Sequence, residues 1–363
     1  IEELYHSVLE AKRTHKLTNR LNIRELSFFG RKQELSQLEE YLSLVETGEA
    51  VGPFLVMGQS GTGKKRLLRQ LVLMSNRSFN FIKVEGKATS QRYEGSAWND
   101  LRQALEKMGD EMGISLLEEE DDLISVWNQL QSLSKEKPLL ILLENAQWFD
   151  AVSLEKVKQL EERRNQEKWQ LIFTAEEPLP AFFVNFLGNL KVEKRLSQLE
   201  LTNFDPSESR ALLKGELGAI EPAVMEQMVE WSEGSPFLLS SYIEEWKENE
   251  NLEPLPDIIQ AYLSQELGDM SSEEEALLHY LSCFHKPISL SILAELTATE
   301  LPVLTELIEP LSERAIVSIV EEGEALMVQF CKQLVAMYFY HLLSPARRRL
   351  FHQQIAQKLE ETL

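Results

Sequence analysis

Hydrophobic and polar residues follow two different rhythms along the chain, and each rhythm predicts a different kind of element. Short apolar or alternating runs predict strands, whereas apolar positions three and four apart predict helices. The predicted strands cover residues 53–57, 79–84, 138–143, 169–174 and 191–196. Helices are predicted at about 63–76, 94–109, 121–135 and 151–166, after an amphipathic helix with Leu35, Leu38, Leu42 and Val45 on one face. Because strands and helices alternate, we expect an α/β fold with a doubly wound parallel sheet.

From about residue 203 the pattern is helical, apart from one pair of short alternating stretches. Helices are predicted at 206–217, 222–232, 236–249, 257–267, 272–283, 289–296, 301–313, 332–343 and 346–361. The alternating stretches at 315–320 and 325–330 predict a hairpin after helices, which suggests a winged-helix unit. The predicted domains are an N-terminal linker helix (1–27), an α/β domain (28–200), a helical lid domain (201–253) and a winged-helix domain with C-terminal helices (254–363).

The clearest chemical signal lies between the first predicted strand and the helix that follows it. Gly58, Gly63 and Lys64 have the spacing G-x-x-x-x-G-K of a phosphate-binding loop. Glycines in this loop let backbone N–H groups turn towards an anion, and the positive end of the next helix adds to the attraction. We therefore expect Lys64 to reach the β- and γ-phosphates of a nucleotide. The predicted nucleotide-binding residues of the loop are Gly58, Gly61, Thr62, Gly63, Lys64 and Lys65.

Lys65 departs from the motif. The motif ends in Ser or Thr, whose hydroxyl binds Mg²⁺. An ammonium group only donates hydrogen bonds and cannot bind a metal. The sequence therefore predicts a P-loop site for ATP or ADP in which no residue is assigned to a metal and Mg²⁺ need not be present.

Composition narrows the choice of partners. The net charge of −22 over 363 residues repels phosphate backbones, so we do not expect this chain to bind nucleic acid directly. Two cysteines give neither a disulfide framework nor a metal-ligand spacing, and no apolar run is long enough to span a bilayer. We expect a cytoplasmic protein with no membrane partner. The chain begins at Ile1, which suggests a piece of a longer chain whose other domains would be its partners.

Six short stretches occur in the order found in one known family. They are Phe29-Gly30-Arg31, the glycine loop, the run from Leu143 to Asp150, the run from Glu233 to Leu238, the run from Phe330 to Leu334, and the run from Ser344 to His352. Together they resemble signal-transduction ATPases with numerous domains, and specifically the AAA-type ATPase module of antibiotic-regulatory and LuxR-type bacterial transcription activators. The resemblance covers about residues 28–361. In that family the module is a nucleotide-controlled switch.

The resemblance also implies roles for single residues. Arg31 matches a Gly-Arg box near the base and ribose, and Pro236 lies in the turn that closes over the adenine. Glu144 stands at the first of two acidic positions, where it would hold Mg²⁺ through water and is the one candidate catalytic residue. Lys332 replaces a histidine that contacts the ADP phosphate in related switches.

Two further departures bear on hydrolysis. Asn145 stands where the family has a second acid that polarises the attacking water, and an amide cannot act as a base. Glu176 stands where the family has an arginine, so the charge is reversed. Phosphoryl transfer is catalysed by positioning and charge, and each lost group commonly costs roughly 2–4 kcal/mol of transition-state stabilisation. We therefore expect little or no ATP hydrolysis.

The predicted function is a nucleotide-binding regulatory switch or scaffold module of a signal-responsive transcription regulator, with self-association left open. Two possibilities for the site also stay open: ADP or ATP binds with Lys65 and Lys332 as counter-charges, or the pocket is empty. The alternatives are an active ATPase using Glu144, the ATPase module of a signalling kinase, and direct DNA binding by the winged unit.

Overall fold

A computed structural model describes residues 28–49, 51–87, 93–114, 122–164, 167–192, 196–250, 252, 255–284, 286–322 and 325–362. The predicted linker helix at 1–27 lies outside these residues. The packing divides the chain into two compact units. The first contains residues 28–212 and 234–237, and the second contains residues 213–233 and the described residues from 238 onward. Each unit is described by itself.

A five-stranded parallel sheet forms the centre of the first unit. Its strands are β1 (Phe54–Gly58), β2 (Asn80–Glu85), β3 (Leu139–Glu144), β4 (Trp169–Ala175) and β5 (Ser197–Leu201). They lie in the order β2-β3-β4-β1-β5, so β4 is inserted between β3 and β1. All residues of β3 and β4 are buried, as expected for central strands of a parallel sheet covered on both faces.

Helices pack on both faces of this sheet. They are α1 (Lys32–Thr47), α2 (Lys64–Ser75), α3 (Ser96–Met112), α4 (Asp122–Leu133), α5 (Ala151–Arg163) and α6 (Ala181–Val192). Leu55 and Val56 are neighbours in β1 yet belong to two different hydrophobic clusters, because successive side chains of a strand point to opposite faces. The predicted doubly wound parallel sheet is therefore confirmed.

One predicted strand is wrong. Residues 191–196 were expected to form a strand, but α6 extends to Val192 and β5 begins only at Ser197. The helix was not predicted, although its buried residues recur at helical spacing. They are Phe183, Phe186, Leu187 and Leu190. In β5, Leu199 and Leu201 are the buried residues, so the alternation that indicates this strand lies further along the chain.

The second unit is mainly helical. Its elements are α7 (Pro206–Leu217), α8 (Pro222–Ser232), α9 (Pro236–Asn249), α10 (Asp257–Leu267), α11 (Ser272–Leu281), β6 (Ile288–Ser289), α12 (Leu290–Thr297), α13 (Leu301–Glu313), β7 (Val317–Glu322), β8 (Ala325–Phe330), α14 (Gln333–Leu342) and α15 (Pro345–Thr362). Helices α7 and α9 begin in the first unit. The predicted hairpin is confirmed, since β7 pairs antiparallel with β8. A short third strand, β6, pairs with β8 on its other side. The domain boundaries and the winged-helix assignment stay predictions.

Among the described residues, no helix has the length and apolar character that crossing a membrane requires.

Candidate nucleotide-binding site

The predicted phosphate-binding loop connects β1 to α2 at the carboxyl edge of the sheet. Gly61 and Gly63 have φ angles of 79° and 95°, a left-handed region that favours glycine. A Cβ atom on Gly58 would lie 2.6 Å from the carbonyl oxygen of Leu201. The hydroxyl of Thr62 donates to the Gln59 carbonyl at 2.8 Å. These residues therefore fold the loop tightly.

Helix α2 begins directly after the loop, and its N-cap residue, Gly63, provides no side-chain cap. The first N–H groups of a helix lack partners within the helix, and the helix dipole favours negative charge there. Together with the glycines, this arrangement fits the phosphates of a nucleotide. The phosphate-binding loop and the helix that follows it are thus where the sequence predicts them.

Lys64 is turned onto its own loop. Its ammonium group donates to the carbonyl oxygens of Gly58 (2.7 Å) and Gln59 (2.9 Å) and to the carboxylate of Glu176 (3.1 Å). Burial lowers the pKa of Lys64, the Glu176 carboxylate acts in the opposite direction, and Lys65 lowers it further. The residue that would bind phosphate therefore already has an internal anion as its partner.

Four charged side chains, which we call the ion-pair row, connect α2 to the ends of β2 and β3. Lys65 pairs with Glu85, Lys83 lies 3.6 Å from Glu85, and Lys83 also lies 2.8 Å from Glu144. Burial lowers the pKa of Lys83, but Glu144 and Glu85 outweigh it and raise that pKa overall. Burial raises the pKa of Glu85, yet Lys65 and Lys83 hold it below its ordinary value. Positive and negative groups thus alternate along the row.

The donor set does not fit Mg²⁺. Lys65 offers no oxygen, and the Glu144 carboxylate is already neutralised by Lys83. Asn145 has a left-handed backbone (φ 53°), and its N–H donates to the buried hydroxyl of Thr174 at 3.0 Å. Nowhere among the described residues do three or more His, Cys, Asp or Glu side chains form a group that could hold a metal ion.

Arg31 is buried in the first unit and makes contacts there that hold two segments together. It is 9 % exposed and adopts a left-handed backbone conformation before α1 (φ 56°). Its guanidinium donates to the carbonyl oxygens of Thr202 (2.5 Å) and Thr62 (3.3 Å). It also lies 4.6 Å from the ring centroid of Phe204. Arg31 therefore connects the phosphate-binding loop to the segment after β5.

The segment around Pro236 also contacts this loop. The Gly234 carbonyl accepts a hydrogen bond from the Phe204 N–H at 2.9 Å, and the Phe237 N–H donates to the Gly61 carbonyl at 3.2 Å. Pro236 lies between these contacts as the first residue of α9. The structure thus brings the loop, Arg31 and the Pro236 turn together within the first unit.

Lys332 lies in the second unit, exposed, as the residue before α14. Its contact with a nucleotide stays a prediction.

Sequence reasoning missed Lys83 and Glu85. The alternation of β2 was a usable signal, because Ile82 and Val84 are buried and the two charged residues lie on the opposite face. Their approach to Glu144 depends on strand pairing, in which Glu85 lies directly beside Glu144. Thr202 and Phe204 gave no comparable signal.

Comparison with known proteins agrees with this geometry. Residues 27–173 match the AAA ATPase domain. The match includes the phosphate-binding loop, the ion-pair row and Glu144. A comparison with curated protein sequences finds no significant match.

Three solved structures are similar to this chain. The ORC2 protein of Aeropyrum pernix, in complexes with ADPNP and ADP, is 16% identical, with 93% of this chain and 98% of that chain covered and a TM-score of 0.57. The Cdc6p protein of Pyrobaculum aerophilum is 13% identical, with 93% and 98% covered and a TM-score of 0.47. A signal-transduction ATPase with numerous domains and a tetratricopeptide repeat sensor, from Pyrococcus horikoshii, is 17% identical, with 93% and 46% covered and a TM-score of 0.41. At these identities, the likeness to ORC2 establishes a shared fold, that of a P-loop α/β sheet with a helical C-terminal part.

Proposed function

We propose that this AAA domain binds ADP or ATP and acts as a regulatory switch or scaffold module with little or no ATP hydrolysis. The observation that carries the proposal is the pairing of the charged groups at the carboxyl edge of the sheet. The glycine loop and the start of α2 offer N–H groups to phosphates, whereas Glu144 is neutralised by Lys83. This arrangement supports phosphate binding at the loop, while the carboxylate of Glu144 is paired with Lys83 and is not free to activate water.

Binding would use the loop and its nearest cation. Backbone N–H groups of residues 58–63 would surround the phosphates, and Lys64 would exchange its contact with Glu176 for a phosphate oxygen. In the wider proposal, Pro236 lies against the adenine and Lys332 is a second counter-charge for the phosphates. The nucleotide supplies negative charge that stabilises one arrangement of these groups.

The hydrolytic groups argue against rapid turnover. Asn145 has an amide in place of a carboxylate, and its backbone N–H is hydrogen-bonded to Thr174. Glu176 places a negative charge beside Lys64, where transferred phosphoryl charge would need a positive one. A nucleotide bound here would persist and act as a structural ligand.

The biological setting belongs to the same proposal. We propose a cytoplasmic, signal-responsive transcription regulator, in which the hairpin and the helices around it form a winged-helix unit. Nucleotide or partner binding would control self-association or the exposure of a neighbouring domain. The net charge of −22 supports contact with other protein domains rather than with nucleic acid.

Isothermal titration with ADP and with ATP, each with Mg²⁺ and with EDTA, tests the proposal. We expect binding in at least one of these conditions, loss of binding in Lys64→Met, and no change in Lys135→Met, which removes an exposed lysine before the start of β3. Thermal melting of both variants separates loss of binding from loss of folding.

A phosphate-release assay completes the test. We expect release at the level of the buffer control for wild type and for Glu144→Gln. Brisk Mg²⁺-dependent release that Glu144→Gln abolishes would refute the proposal and favour an active ATPase.

A further inference from the structure

The ion-pair row occupies the corner of the site where the motif would place a metal. It begins at Lys65, the position of the metal-binding hydroxyl, and ends at Glu144, the position of the metal-binding acid. We propose that the ammonium groups of Lys65 and Lys83 replace a divalent cation, so that this site excludes Mg²⁺ and balances bound phosphates with internal cations. The phosphate part rests on the proposed function, whereas the exclusion of the metal does not.

Strand pairing creates the need for a cation here. Glu85 and Glu144 lie directly beside each other at the ends of neighbouring parallel strands. Two adjacent carboxylates repel each other and would attract a divalent cation. Lys83 instead lies within 4 Å of both, at 3.6 Å and 2.8 Å. One ammonium group therefore provides the neutralisation that a metal would otherwise provide.

Burial distinguishes the row from ordinary surface ion pairs. Exposed pairs contribute little, and the side chains of Lys65 and Lys83 are 51% and 50% exposed. The side chain of Glu144, however, is only 5% exposed. A buried carboxylate without a partner is costly, and Lys83 is the ion-pair partner of Glu144.

Charge also explains why a metal and the row are alternatives. The row contains two positive and two negative groups and is neutral as a unit. A divalent cation would have to approach two ammonium groups, and each of the two carboxylates already forms an ion pair with an ammonium group. Lys65, which follows the phosphate-binding Lys64 directly, places its positive charge next to the phosphate-binding loop.

Removal of both lysines should convert the corner into a metal site. The test compares wild type with Lys65→Thr/Lys83→Met and measures Mn²⁺ binding by electron paramagnetic resonance, without nucleotide. The control Lys107→Met/Lys135→Met removes two exposed lysines and makes the same change in net charge. We expect Mn²⁺ to bind the double variant roughly tenfold or more tightly than wild type or the control.

Two results would overturn the inference: Mn²⁺ binding to wild type as tight as to the double variant, or a folded double variant that gains no binding. If the double variant does not fold, Lys83→Gln, which keeps a polar side chain, is measured in the same way and decides. The titrations with ADP and with ATP, each with Mg²⁺ and with EDTA, test the proposed function separately. Failure of both nucleotides to bind in every condition would refute that function, while a gain of Mn²⁺ binding would still support the inference.

Discussion

Glu176 competes with phosphate for Lys64, so its neutralisation should strengthen nucleotide binding. The carboxylate lies 3.1 Å from the Lys64 ammonium group, and the two residues come together only because β4 is inserted beside β1. In Glu176→Gln, the amide still fills the space and can accept a hydrogen bond, but the negative charge is gone. Lys64 then has no anionic partner until a phosphate arrives.

Coulomb's law gives the size of the effect. At an effective dielectric constant of about 20, unit charges about 4 Å apart, such as Lys64 and Glu176, attract each other by roughly 4 kcal/mol. Like charges about 7 Å apart, such as Glu176 and a phosphate on Lys64, repel each other by roughly 2 kcal/mol. The side chain of Glu176 is 27% exposed, so solvent and salt reduce both interactions. We expect a net gain of about 1–2 kcal/mol, which corresponds to roughly 5- to 30-fold tighter binding.

Isothermal titration with ADP in EDTA measures this gain, and the neighbouring Glu177→Gln makes the same charge change at an exposed position. The gain should shrink as salt is raised, because screening weakens the interaction that was removed. Unchanged or weaker binding by Glu176→Gln, with Glu177→Gln like wild type, would refute the competition between Glu176 and phosphate.

Two further predictions concern stability in urea. Asp150 is buried and accepts hydrogen bonds from the backbone N–H and hydroxyl of Ser153 and from the N–H of Gly95. Because these hydrogen bonds would be lost, Asp150→Ala should lower the free energy of unfolding by about 2–3 kcal/mol. Burial raises the pKa of Asp150, but these hydrogen bonds hold that pKa below its ordinary value. The stabilisation by Asp150 is therefore present at neutral pH and is lost as pH falls through the folded-state pKa. An equal dependence of stability on acid pH in wild type and in Asp150→Ala would contradict this. Gly234→Ala should lower the free energy of unfolding by at least about 2 kcal/mol more than Gly113→Ala does. Both glycines have positive φ angles, but of these two only Gly234 would place a Cβ atom against a carbonyl oxygen, that of Phe204, at 2.0 Å. Equal effects of the two glycine substitutions would show that backbone conformation alone matters.

Local signals in the sequence predicted most elements well where the chain marks its own boundaries. Pro206, Pro222 and Pro236 each begin a helix at the predicted residue, since proline fits the first helical turn. Continuous apolar runs likewise identified the central strands. Helix α6 was missed because its apolar residues follow two prolines and were not recognised as a helical pattern.

The candidate site was predictable only as far as neighbouring residues define it. The glycine loop is one continuous stretch, and its conformation follows from its own residues. The partners of its lysines do not: Glu176 lies 112 positions from Lys64 and Glu85 lies 20 positions from Lys65. Those contacts depend on strand order and register, which local periodicity does not determine.

The paired carboxylates at the ends of β2 and β3 constrain how this gene can change. Loss of Lys83 alone leaves Glu85 and Glu144 facing each other, and loss of either glutamate alone leaves an ammonium group with fewer counter-charges. Single substitutions in the ion-pair row should therefore lower stability even if the protein never hydrolyses a nucleotide. Among descendants of this gene, these positions should vary in concert, and a gain of metal binding would require the replacement of both lysines.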